Sequence, residues 1–173
     1  MSKQAKLGTA YHEAGHVAAS IILHRRFKSV TIIPNEEALG HVASCPMPKR
    51  VVEALKLGAV PPKLREELED EIIIYLAGNL GMRLVRKRLP RINNFPDYHT
   101  ALDFAARVCG GDLEEVEAYF HWLYVRARQI AETERFKRLT RCIAEALMDK
   151  QYLDYASCMD IYREEFHLVA VPC

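Results

Sequence analysis

The stretch that most constrains this chain is "TAYHEAGHVAASIIL", residues 9–23. Two histidines stand four apart, a glutamate follows the first directly, and an apolar run closes the segment. Together these describe a buried helix from Thr9 to about Leu23, with Gly8 and Thr9 marking its start. Buried imidazoles and a buried carboxylate need partners. The rest of the chain therefore has to fold around this helix and supply them.

Residues four apart on a helix lie on one face, about one turn along. His12 and His16 thus point two imidazoles at one place, and both are neutral ligands near pH 7. Glu13 is turned about 100° away, outside that pair but within reach of a water bound to the same ion. Zinc lowers the pKa of such a water to about 7, and a neighbouring carboxylate takes the proton as the water attacks a carbonyl. That division of labour is the chemistry behind H-E-x-x-H. Ala14 and Gly15 are expected to leave space for substrate beside the ion. A core hydrogen-bond network among the same side chains is the non-catalytic alternative.

A catalytic zinc site takes three protein ligands. The extended form H-E-x-x-H-x-x-G-x-x-H is absent, because position 19 is alanine and position 22 is isoleucine. His24 lies two turns past His16, too far along to close the site. The third ligand has to come from a distant segment: Glu69, Asp70, Glu71, Asp97, His99 and Asp103 are the candidates, and spacing does not choose among them. A different metal class uses E-x-x-H twice, as in di-iron carboxylate bundles. Glu13/His16 and Glu164/His167 have that spacing, with Glu71, Glu117 and Glu145 to complete it, but this reading leaves His12 without a role.

Composition narrows the function classes. With 173 residues, 50% apolar and 27% charged, the chain is expected to form one domain spanning 1–173 with a sizeable core. A net charge of +1 gives no global attraction to nucleic acid or acidic lipid. The basic run "RLVRKRLPR" (83–91) reads as the positive end of a helix, with no interleaved aromatics to stack bases. No apolar run approaches the roughly 20 residues of a membrane span, and the first residues lack a signal-peptide core. Five scattered cysteines without a C-x-x-C pair suit reduced thiols, Cys173 being the one expected to be reactive, and a cytoplasmic location.

The expected fold is mainly α with a small β-hairpin or short sheet. "SVTIIP" (29–34) is a β-branched strand, and "ALGHVASCP" (38–46) returns beside it. "PKRVVEALKLG" is a short helix ended by Gly58, and a long periodic run follows from "PPK" through "RKRL" (61–89). Inside that run Gly78 and Gly81 are expected to admit another helix or the metal site at close range. "RLPRINNFP" is a loop, and a helix runs from Asp97 to the Gly110–Gly111 pair. Asp112 with Glu115 opens a helix towards Glu132, and two more helices fit 135–150 and 154–166. Trp122, in "YFHWLYVRAR", reads as core or as a subunit contact.

Four segments in order, "AYHEAGHVAAS", "VTIIPNEEALGHV", "LAGNLGMRLV" and "PDYHTALDFAARV", resemble the peptidase domain of FtsH-type zinc metalloproteases. The resemblance spans residues 7–166 and is most specific at HEAGH and "VTIIP…ALG". It implies an FtsH-peptidase-like helical domain in which His12 and His16 bind Zn2+ and Glu13 is the general base. The family's third ligand is an aspartate opening a later helix, which the match places at Asp97; an aspartate there also has a plain reading as an N-cap. The family's "LGGRAAE" is altered to "LAGNLGM" here, and its T-T-G-A segment is replaced by "RLPRINNF". No G-x-x-x-x-G-K-[ST] phosphate loop occurs, so a stand-alone domain without ATPase module or membrane anchor is expected. The implied activity is zinc-dependent hydrolysis of unfolded or flexible polypeptide, with a catalytically silent binding or scaffold domain as the alternative. Expected partners are that polypeptide, a separate ATPase to feed it, and further copies in a homo-oligomer, but neither nucleic acid nor membrane. An edge strand, at 39–44 or 29–33, is expected to align the substrate backbone.

Overall fold

α1 (Lys3–Ile22) is enclosed by the rest of the protein in the computed structural model, which describes residues 2–34, 39–45, 49–57, 60–86, 88 and 91–167. From Gly8 to Ile21 every residue of α1 is buried except His12, which is half-buried. The helix starts six residues earlier than expected: the Ser2 side chain accepts from Ala5 N (3.2 Å) and caps it, so Gly8 and Thr9 lie inside the helix. Gly8 is under the Arg86 guanidinium, which also donates to the Gln4 carbonyl (3.2 Å).

The predicted hairpin is present. β1 (Phe27–Thr31) pairs antiparallel with β2 (His41–Ser44), Val30 opposite Val42. A third strand, β3 (Tyr152–Asp154), pairs with the other side of β1, giving the order β2-β1-β3. The sheet is therefore larger than a hairpin, and β1 is its centre. α2 (Lys49–Leu57) follows, while the expected stop at Gly58 lies outside the described residues, as does Cys173. α3 (Pro62–Met82) begins on a proline at its first position, as expected. It ends at Met82, well short of residue 89, and Arg83 occupies its C-cap.

A short 3-10 turn (Ile92–Asn94) interrupts the predicted loop and leads into α4 (Pro96–Val108). Gly110 and Gly111, both at positive φ, turn the chain after it. α5 (Leu113–Glu132) is capped by Asp112, which accepts from Glu115 N (2.9 Å) as the sequence pattern indicated. α6 (Glu134–Lys150) ends on left-handed Gln151, and α7 (Tyr155–Glu165) closes the described chain. The Gln151 carbonyl accepts from Ile32 N and from the Thr31 hydroxyl, both at 2.9 Å, which ties the end of α6 to β1.

Two apolar clusters flank the central helix. Ala10, Ala14, Val17, Ala18 and Ile21 of α1 join Phe136, Leu139, Ile143 and Leu147 of α6. Across α3, Ile72, Ile73, Leu76 and Leu80 pack with Ala101, Ala105, Phe120 and Leu123 of α4 and α5. Trp122 belongs to neither: it is 44% exposed, stacked on Tyr119 with Arg126 over its face. The four described cysteines, Cys45, Cys109, Cys142 and Cys158, are free thiols. Among the described residues no helix is long and apolar enough to cross a membrane.

Candidate metal centre

α1 and α3 touch backbone to backbone, and this contact builds the site. A Cβ on Gly15 would stand 2.5 Å from the Ala77 carbonyl oxygen, and one on Gly81 2.6 Å from that of Tyr11. Gly78 faces the histidines themselves: a Cβ there would clash with His16 Nε2 and lie 2.9 Å from His12 Cε1. The two α3 glycines thus serve the close approach expected of them. Gly15 serves the same packing, and Ala14 is fully buried in the core, so neither opens space for a substrate.

The clearance lets both imidazoles meet Asp97, from the first turn of α4. His12 Nε2 donates to Asp97 Oδ2 at 2.8 Å, His16 Nε2 lies 3.3 Å from the same oxygen, and the two Nε2 atoms are 3.2 Å apart. His16 Nδ1–H donates to the Ile74 carbonyl (2.7 Å), which turns its Nε2 towards the centre. His12 has no such support: its Nδ1 is buried without a hydrogen-bond partner, and its ring stacks on Phe95 with centroids 6.1 Å apart. Asp97 is not the N-cap of α4. Phe95 holds that position with Pro96 after it, which frees the Asp97 carboxylate for the histidines.

This donor set fits a cation. With its proton on Nδ1, neutral His16 presents a lone pair beside a carboxylate oxygen and a second imidazole nitrogen, and a cation between them would satisfy all three. As protein groups alone they meet this demand with a proton. Burial works against a charged His16, but the hydrogen bond and charge of Asp97, with Glu13, outweigh it and push the imidazole up to about 9. Burial also works against the Asp97 carboxylate, yet the two histidines hold it well below the usual range. Among the described residues, His12, His16 and Asp97 are the one cluster of three or more His, Cys, Asp or Glu placed to hold a metal.

The other candidates stay out of the cluster, and Glu71 lines the cavity without joining it. Asp70 pairs with Arg25 (2.9 Å), Glu69 accepts from the Tyr119 hydroxyl (2.9 Å), Asp103 pairs with Arg107 (2.8 Å), and His99 is exposed. Glu164 and His167, needed for a di-iron centre, are exposed at the end of α7 and do not join His16. Glu13 is buried beside the trio, and burial pushes its carboxyl above the ordinary value against the lowering pull of His16 and His12. Gly40, just before β2, packs so closely that a Cβ there would stand 3.1 Å from Glu13 Cγ. Trio and Glu13 line a cavity of about 900 Å3 whose other walls include residues 39–42, Phe95 and the Glu67–Tyr75 side of α3.

The family model for Peptidase family M41 matches residues 1–88, just over half of the chain. The chain belongs to the M41 peptidases. No match was found among curated proteins. The M41 match covers HEAGH, the hairpin and α3, and ends before Asp97, which enters the site through folding alone. Sequence reasoning missed three members of this M41 site: Phe95 against His12, the Ile74 carbonyl behind His16, and His41 on the cavity wall beside Glu13. A backbone carbonyl carries no sequence signal, and a single phenylalanine before a proline or histidine after a glycine carries little.

Proposed function

We propose that this M41 chain is a zinc-dependent endopeptidase that hydrolyses peptide bonds in unfolded or flexible polypeptide. The observation that supports it best is the convergence of His12 Nε2, His16 Nε2 and Asp97 Oδ2 within 3.3 Å, with buried Glu13 beside them. Zinc held there would supply Lewis acidity, polarising the scissile carbonyl and acidifying water to a pKa of about 7. Ile74 orients His16 through Nδ1, and Phe95 limits rotation of His12. The Glu13 carboxylate takes the proton from the attacking water and returns it to the leaving amine. Its raised proton affinity suits that exchange, and Gly40 confines its swing. β1 is paired on both sides, so residues 29–31 offer no free edge; β2 is the edge strand lining the cavity and is the one placed to pair with a substrate backbone. On this reading an ATPase unfolds any stable substrate, a step for which these 173 residues carry no G-x-x-x-x-G-K-[ST] phosphate loop.

The test is zinc content per chain together with cleavage of an unfolded protein. Wild type is expected to hold one zinc and to cleave; Asp97→Ala to lose most of the zinc; Glu13→Gln to keep zinc and lose cleavage. Zinc binding without cleavage that Glu13→Gln abolishes would favour a silent binding domain, and no zinc binding at all would sink both the metal and the peptidase readings.

A further inference from the structure

Beyond the histidines the cavity continues along α3 towards its N-terminus, past Tyr75 to Glu71, Leu68 and Glu67. Glu71 lies one turn before Tyr75 and about 4.5 Å along the axis from Ile74, whose carbonyl holds His16. An extended peptide rises about 3.3 Å per residue, so a side chain one or two residues from the scissile bond spans that distance.

The other charges on this part of the wall are already engaged. Arg25 is bonded to Asp70 (2.9 Å), Glu67 accepts from Arg50 (2.7 Å), and Arg26 lies 5.3 Å from the centroid of the Tyr155 ring. Glu71 makes no hydrogen bond or ion pair among the described residues, although it is half-buried. Apolar Leu68, Val51 and Phe27, at 1%, 2% and 4% exposure, line the same cavity, while Arg25, Asp70 and Glu67 are the charges that act on Glu71. Arg25–Asp70 and Arg50–Glu67 are neutral pairs, Arg26 keeps its charge over the Tyr155 ring, and Glu71 is the carboxylate on this wall without a hydrogen bond or ion pair among the described residues. A cavity wall that carries apolar side chains together with this carboxylate matches a side chain with a methylene stem and a cationic head.

We propose that Glu71 sets the specificity of this cleft, selecting a lysine or arginine side chain of the substrate polypeptide next to the scissile bond. The assignment rests on the peptidase reading for the identity of the occupant. Burial pushes the Glu71 carboxyl above its ordinary value, chiefly by desolvation, and a docked cation offsets that cost.

The test uses fluorescent peptides identical except for lysine, norleucine or glutamate at one variable position. They are titrated into zinc-loaded Glu13→Gln protein, whose cleavage is silenced, and into the same protein with Glu71→Gln, Glu71→Asp or Glu71→Lys added. The lysine peptide is expected to bind about tenfold more tightly than the norleucine peptide, the gain of one charge-assisted contact. That preference is kept by Glu71→Asp, lost in Glu71→Gln and turned towards glutamate in Glu71→Lys. Equal binding of the three peptides, no binding of any, or a lysine preference that survives Glu71→Gln overturns the assignment. Cleavage of the same peptides by wild type is scored separately. Lysine-selective binding without cleavage would defeat the peptidase reading while leaving Glu71 as the selector. Cleavage indifferent to residue 71 would do the reverse.

Discussion

The two sides of α1 are packed by different means. Towards α6 it presents Ala10, Ala14, Val17, Ala18 and Ile21 to large side chains, Phe136, Leu139, Ile143 and Leu147. Towards α3 it meets glycine and carbonyl, with Gly15, Gly78 and Gly81 removing the side chains that would keep the helices apart. The α6 side is side-chain packing that tolerates repacking at an energetic cost. At these glycines the α3 side has no side chains to repack, so an error there moves the backbone, and the histidines move with it. One helix therefore separates stability from site geometry by face.

That contrast is open to direct attack. Leu147→Ala, a fully buried truncation on the α6 side, is expected to cost about 3 kcal/mol of stability in urea unfolding. Zinc affinity of the folded protein should stay unchanged, and a large loss of affinity would show that the two faces are coupled after all. Gly78→Ala is the opposite case. It is expected to weaken zinc binding about 100-fold in a chelator competition, because the new methyl displaces His16 Nε2. Wild-type affinity in that variant would mean that α3 can shift without disturbing the ligands. Phe95→Ala sharpens the comparison within the site. His12 relies on that stacking where His16 has a hydrogen bond, so about a tenfold loss of zinc affinity is expected, measured in the same competition.

The ligands also impose a pH dependence. His16 is pushed up to about 9, so below that pH zinc must displace its proton. Affinity should rise with pH, by about one log unit per pH unit between pH 7 and 8.5 on account of this group. Calorimetry in buffers of different ionisation enthalpy would read the released proton. Affinity independent of pH in that window would mean that His16 is neutral before the metal arrives.

Much of the architecture was legible because it rests on local chemistry. Asp112 announced the start of α5, Pro62 the start of α3, and the β-branched run at 29–34 the central strand, which in the structure begins at Phe27 and ends at Thr31. What was missed depends on distant partners. β3 is three residues long and has no periodicity; its identity comes only from pairing with β1. The first two turns of α1 are polar and contain Gly8, which reads as a stop unless one knows that Arg86 covers it. In the site, HEAGH was legible as a motif and Asp97 only through resemblance, since several other acids had equal claim by spacing. Folding decided among them by pairing Asp70, Glu69 and Asp103 elsewhere and by placing Glu71 on the cavity wall outside the cluster.

The tie between Thr31 and Gln151 joins residues 120 apart, whereas β1 and β2 pair residues as few as ten apart, Thr31 with His41. Closing the longer loop costs about 2 kcal/mol more in chain entropy. The hairpin can form while the chain is still emerging from the ribosome, but its inner strand keeps an unpaired edge until residues 151–154 are made. The proposed ligands are thus synthesised well before the strand that completes the sheet. Folding of this protein is expected to be paced by that late strand addition, with the unprotected β1 edge as the point at which nascent chains are most exposed to aggregation.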